Sequence, residues 1–159
     1  MADLVGYSAL SPIINPDNNI LKAVYDTKFP AGVEPIKVSK LHCTLMYDER
    51  NKIPRSDVDI PPVIYHASVM GVAVLGCAVV LLISSNDIMA RHFELEELGF
   101  KYSYDNYAPH MSVLYYKHDD PEIQAQKLEA SRVLVQALLN EKKIPSELYF
   151  TDEVWKPCD

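Results

Sequence analysis

Two tripeptides hold the residues best suited to chemistry, His42-Cys43-Thr44 and His110-Met111-Ser112. Side chains alternate along an extended strand, so His42 and Thr44 share one face, and His110 and Ser112 share another. A pair of imidazoles suits phosphoryl chemistry near neutral pH. One takes the proton of an attacking oxygen and the other gives a proton to the leaving oxygen. The two hydroxyls can donate to the non-bridging phosphate oxygens, where negative charge must be held. Such a site needs no metal or other cofactor, and the chain has neither a carboxylate cluster nor a Cys/His spacing that would bind one.

The tripeptide alone says little. Ser and Thr make up 14 of the 159 residues. Five histidines would therefore give roughly 0.45 such matches by chance. The chain has three, because His66-Ala67-Ser68 also fits. His66 opens the most apolar stretch and lacks a strand–helix unit at a matching distance before it, so it reads as a structural histidine. His92 lies mid-helix beside Phe93 and reads as a surface or helix-packing residue. His118 sits in a polar turn and reads as solvated.

Position in the chain distinguishes His42 and His110. Leu4–Leu10 reads as a strand, broken by Pro12, Asn15 and Pro16, and Asp17 can start a helix to about Lys28. Leu41–Tyr47 is the next strand, with His42, Thr44 and Met46 expected on one face and Leu41, Cys43, Leu45 and Tyr47 on the other. Later, Cys77–Ile83 reads as an apolar strand. A helix capped by Asn86 or Asp87 runs to Leu98 and is stopped by Gly99. The strand His110–Tyr116 follows, with His110, Ser112 and Leu114 on one face. From helix start to histidine is 25 residues in the first unit and 23 in the second. A strand–helix–strand unit thus occurs twice, each time ending in His-x-hydroxyl. Between the units lie a polar loop, Asp48–Pro62, and a strand from Val63 to about Met70. After them come a helix from Pro121 to about Lys142 and a strand, Glu147–Trp155.

Composition narrows the function. Hydrophobic residues at 48% and charged residues at 23% fit a folded globular chain. The net charge of −7 and the lack of Lys/Arg clusters argue against gripping a long nucleic acid. A small anionic ligand remains possible. Cys43, Cys77 and Cys158 form an odd, scattered set that points to reduced thiols and a cytoplasmic setting, and no signal peptide is expected. Ala67–Ile83 is almost wholly apolar but short for a membrane span, and Gly71 and Gly76 can split it into two buried strands. No membrane association is therefore expected. A span there would also separate His42 from His110.

The segments Leu41-His42-Cys43-Thr44-Leu45 and Pro109-His110-Met111-Ser112-Val113 resemble the 2H phosphoesterase superfamily, defined by two His-x-Thr/Ser motifs on central strands. The size, the 68-residue separation of the histidines and the acidic charge are similar to those of bacteriophage anti-CBASS nucleases, which degrade cyclic di- and trinucleotide messengers of bacterial antiviral signalling. The resemblance implies an α/β (α+β) fold in a single domain, residues 1–159. Duplicated strand–helix–strand units, about 4–70 and 77–155, would form a bilobal, mostly antiparallel sheet with a central cleft and outer helices. It implies a metal-independent phosphodiesterase cutting 3′,5′ bonds of cyclic oligonucleotides such as cGAMP, with His42, Thr44, His110 and Ser112 catalytic. By the same likeness, Tyr7, Glu147 and Trp155 would hold the bases. Glu153 competes with Glu147, and Trp155 serves equally as a terminal hydrophobic cover. Tyr107, in the Tyr102–Tyr107 loop, is a further candidate for base stacking, against an ordinary tyrosine-rich loop. Alternative activities are a phosphodiesterase for 2′,3′-cyclic nucleotides, RNA ends or 2′,5′-oligoadenylates, and a sponge that binds without cutting.

Overall fold

The computed structural model describes residues 6–14, 20–50 and 59–158. The elements run β1 (Tyr7–Pro12), α1 (Ile20–Tyr25), β2 (Glu34–Pro35), β3 (Cys43–Tyr47), β4 (Tyr65–Leu75), β5 (Ala78–Ser84), α2 (Asn86–Glu97), β6 (His110–Tyr115), α3 (Pro121–Asn140) and β7 (Glu147–Lys156). The expected start of the first strand at Leu4, the Asn15-Pro16 break, the helix start at Asp17 and the middle of the polar loop lie outside the described residues. The short strand β2 and a 3-10 turn at Val38–Lys40 have no counterpart in the sequence reading.

The fold is α+β; among the described residues, three helices pack against a seven-stranded sheet in the order β2-β6-β3-β1-β7-β4-β5. Every pairing is antiparallel. A further pairing of β6 with β5 joins the ends, so six strands close into a ring with β2 attached to β6. β6 uses one edge on β5 along its whole length. Its other edge meets β3 at Cys43↔Met111 and β2 at Glu34↔Tyr115. The apolar run Ala67–Ile83 is the β4–β5 hairpin, turning at Gly76-Cys77. Gly76 sits at φ 58° in the first loop position, the place for glycine in a tight hairpin. No helix among the described residues is long and apolar enough to cross a membrane.

One side of the sheet is apolar. Cys43, Leu45, Leu81, Met111 and Phe150 are fully buried there, with Ile88 and Leu95 of α2 and Leu128 and Val135 of α3. α2 packs on β3 and β4, and α3 on β4 and β5. Ser85 caps α2, not Asn86 or Asp87. Its Oγ accepts the Ile88 N–H at 3.1 Å and donates to the His66 carbonyl, while Asp87 accepts the His66 N–H at 3.0 Å. The helix start therefore satisfies the β4 backbone just before β5 begins to pair with it. Asp120 caps α3 by accepting the Glu122 N–H at 2.9 Å, with Pro121 in the first turn.

Bulges change the expected strand faces. In β3, Ser8 pairs with Met46 and Ala9 with Thr44, leaving Leu45 as an extra residue. Met46 consequently turns into the core with Ser8, and Tyr47 joins the face of Thr44. In β6, Val79 pairs with Leu114 and Val80 with Ser112, so Val113 is extra. Leu114 turns into the core and is fully buried. Both motif strands thus bulge at the residue after the hydroxyl.

Candidate active site

The pairing of Cys43 with Met111 fixes the geometry of both motifs. One step either way along this antiparallel pair sets His42 opposite Ser112 and Thr44 opposite His110. Cys43 and Met111 point into the core, so the four polar side chains lie on the other face. His42 is exposed, and the other three are half-buried. The bulges leave carbonyls that need partners outside their ladders. Leu45 O accepts from His92 Nδ1 at 2.7 Å, and Val113 O accepts the Ile36 N–H at 2.9 Å.

Both imidazoles are held in the same way. His42 Nδ1 lies 2.9 Å from the Lys40 carbonyl, and His110 Nδ1 lies 2.9 Å from the Ala108 carbonyl. A carbonyl only accepts, so Nδ1 carries the proton in each ring and Nε2 is left for chemistry. Tyr7, on β1, joins them. Its hydroxyl is 3.3 Å from Thr44 Oγ1, its ring centroid is 6.4 Å from that of His42, and Lys156 Nζ sits 4.8 Å over its ring.

Tyr107 lies behind Thr44. Its hydroxyl donates to the Thr44 carbonyl at 2.7 Å, and its ring stacks on His92 at 3.8 Å with an interplanar angle of 6°. Burial raises the Tyr107 hydroxyl well above the usual tyrosine value. His92 is itself buried, as a helix-packing residue and not a surface one, with Nε2 3.0 Å from Glu96. Burial likewise lifts the Cys43 thiol to about 12, partly offset by the His110 backbone and the Tyr107 hydroxyl, so it stays an unreactive thiol.

Glu147 pairs with Ser68 across β4–β7, and Ser68 pairs with Ser84 across β4–β5. Ser84 shares its side with Leu82, the partner of His110. Glu147, His66 and Ser68 therefore belong to the face of the two motifs. The His66 ring bonds to the Glu147 carboxylate, and Ser68 Oγ donates to it at 3.4 Å. His66 is 51% exposed beside Tyr149, so it is not packed into the apolar stretch it opens. Period two held the signal for this group, but its carboxylate partner is 81 residues away in sequence.

Trp155 is not brought to that face. Thr151 pairs with Ser11 and Val154 with Ala9, which inserts one extra residue in β7. Asp152, at φ 56°, makes this turn. Without it, Trp155 would share the side of Glu147. With it, Trp155 points to the side of buried Ser8, its ring 4.9 Å from Phe100 and its Nε1–H on Glu153 at 2.9 Å. Glu153 is 7% exposed and receives Arg91 of α2 through both oxygens, at 2.8 and 2.9 Å. That ion pair commits Glu153 to the core and leaves Glu147 as the accessible carboxylate of the two. Among the described residues, no group of three or more His, Cys, Asp and Glu side chains could hold a metal ion.

The sequence model of one family, described as Anti-CBASS protein Acb1, matches residues 16–148, most of the chain and both motifs. The chain belongs to the Acb1 anti-CBASS family. The match takes in His42, Thr44, Tyr107, His110, Ser112 and Glu147, and leaves Tyr7 and Trp155 outside it. No curated protein matches the chain.

Proposed function

We propose that this Acb1-family chain is a metal-independent phosphodiesterase that opens the 3′,5′ linkages of cyclic di- or trinucleotide messengers, and so removes an antiviral signal. The observation that carries the reading is the crossing of β3 and β6, which sets His42 against Ser112 and Thr44 against His110, each imidazole held through Nδ1 so that Nε2 is the nitrogen left for proton transfer. One histidine takes the proton of a ribose 2′-hydroxyl as that oxygen bonds to the adjacent phosphorus. The bond from phosphorus to the 5′-oxygen breaks, and the other histidine protonates the leaving oxygen. The linear product ends in a 2′,3′-cyclic phosphate, which water can open with the two roles reversed. Thr44 and Ser112 donate to the non-bridging oxygens. The Tyr7 hydroxyl can donate to Thr44 Oγ1, turning the threonine proton toward the phosphate.

The matched bulges, the matched Nδ1 bonds and the repeated strand–helix–strand order support two copies of one unit arranged around a shared cleft, as in the 2H phosphoesterases. The test is mass-spectrometric screening of cyclic dinucleotides and trinucleotides against 2′,3′-cyclic nucleotides, 2′,5′-oligoadenylates and short RNA, with EDTA present. Cleavage of the cyclic messengers at an undiminished rate supports the proposal. Exclusive cleavage of the other substrates, binding without cleavage, or full loss of activity in EDTA overturns it.

A further inference from the structure

The tyrosine-rich loop before β6 borders a cavity of about 530 Å³, within the range of small-molecule sites and outside the four-residue catalytic group. Its walls include Tyr102, Tyr104, Tyr107, Glu96 and Lys101. We propose that this cavity is a second-base pocket for the cyclic nucleotide, selective for a base edge with two adjacent N–H donors, as in guanine. The inference rests on the phosphodiesterase reading above and names a specificity device for it.

Three observations carry it. First, one wall of the cavity is joined to the catalytic face through aromatic contacts. Tyr107 lines it and also holds the Thr44 carbonyl, while Tyr104 packs 5.7 Å from Tyr47, which packs 5.5 Å from Tyr7. Tyr7, Tyr47 and Tyr104 thus form a continuous aromatic path from Thr44 Oγ1 to the cavity wall. Second, the loop is fastened in place. The Ser103 N–H donates to Tyr47 O at 2.8 Å, Ser103 Oγ accepts the Glu49 N–H at 2.8 Å, and the Lys101 N–H donates to Asp48 at 2.8 Å. Tyr104 is nevertheless 59% exposed, an aromatic surface held ready for stacking at little ordering cost.

Third, the polar groups favour a base over a phosphate. Among the described lining residues, Glu96 and Asp105 bring two carboxylates to the cavity beside Lys101 and the His92 ring. Glu96 is held by His92 at 3.0 Å yet remains 43% exposed, with acceptor capacity left over. One carboxylate accepts both the N1–H and the N2–H of guanine. Adenine would place an acceptor nitrogen against it instead, which is the basis for discrimination.

The test compares wild type with Tyr104→Ala, Tyr104→Phe and Glu96→Gln, using cyclic GMP–AMP and cyclic di-AMP, with thermal melts to confirm folding. Tyr104→Ala should raise KM about tenfold or more for both ligands with kcat little changed, and Tyr104→Phe should restore wild-type KM. Glu96→Gln should reduce the preference for the guanine-containing ligand about tenfold. If the wild type binds without cutting, dissociation constants replace KM in the same comparison. Unchanged KM in Tyr104→Ala, or an unchanged base preference in Glu96→Gln, overturns the pocket while leaving the phosphodiesterase standing. A wild type that neither cuts nor binds any cyclic nucleotide overturns both.

Discussion

The Tyr107 hydroxyl donates to the backbone carbonyl of Thr44 at 2.7 Å, so the segment leading into the second motif holds the main chain of the first. The stacked His92 extends the hold by one residue, to Leu45 O. The two motifs are thereby braced against each other beyond the single Cys43↔Met111 rung. Tyr107→Phe should lower stability by about 1–2 kcal/mol, because a carbonyl loses its hydroxyl donor and keeps the weak Cys43 thiol at 3.8 Å. It should lower kcat more than it raises KM. Thermal melts and steady-state kinetics read the two effects separately.

His42→Ala and His110→Ala should each lower kcat by roughly 10²–10⁴-fold, the usual worth of a positioned proton-transfer group. Calorimetric binding should be largely retained. Because one neutral and one charged imidazole are needed, the wild-type rate should follow a bell-shaped pH profile, and each variant should lose one limb. Wild-type turnover in both variants would remove the two-histidine mechanism.

Asp48 is 1% exposed and joins the end of β3 to the aromatic loop. Burial acts to raise its carboxyl. Hydrogen bonds from the Arg50 side chain and from the Lys101 and Arg50 N–H groups outweigh burial and hold it below its ordinary 3.8. A depressed folded-state value means the stabilisation is complete above 3.8 and is lost as pH falls through the lower value. Asp48→Asn should therefore narrow its stability gap to wild type in acid and show the full gap at neutral pH. Denaturant melts across that range check this.

Cys43 should resist iodoacetamide at pH 8 in the native protein, since burial keeps its thiol protonated to about 12. Unfolding in guanidinium should make it react. Peptide mapping of the native and unfolded samples distinguishes it from Cys77 and Cys158, which are only partly buried.

Gly6→Ala should separate the ends of β1 and β3, because an added Cβ would stand 2.0 Å from the Asp48 carbonyl oxygen. The Asp48 N–H to Gly6 O bond, 2.7 Å here, would have to lengthen. A lower melting temperature together with a higher KM is expected, since Tyr7 follows directly in the chain.

Much of the architecture was legible from local patterns. Gly76 split the apolar run into two strands. Pro121 marked the start of α3, and the alternation around His42 and His110 named the four polar groups that share a face. These features depend on period two, turn chemistry and first-turn preferences, which a short stretch of chain fully specifies. The sequence reading set His66-Ala67-Ser68 aside as structural; its carboxylate partner Glu147 arrives from a distant strand.

The tertiary structure decided which strands met and where their ladders slipped. The bulges at Leu45 and Val113 turned Met46 and Leu114 into the core, and the extra residue at Asp152 moved Trp155 to the side away from Glu147. A bulge is a mismatch between two strands, so neither strand encodes it alone. His42-Cys43-Thr44 and His110-Met111-Ser112 were in the sequence from the start, whereas the step that sets each histidine across from the other motif's hydroxyl exists only because β3 and β6 pair at Cys43 and Met111.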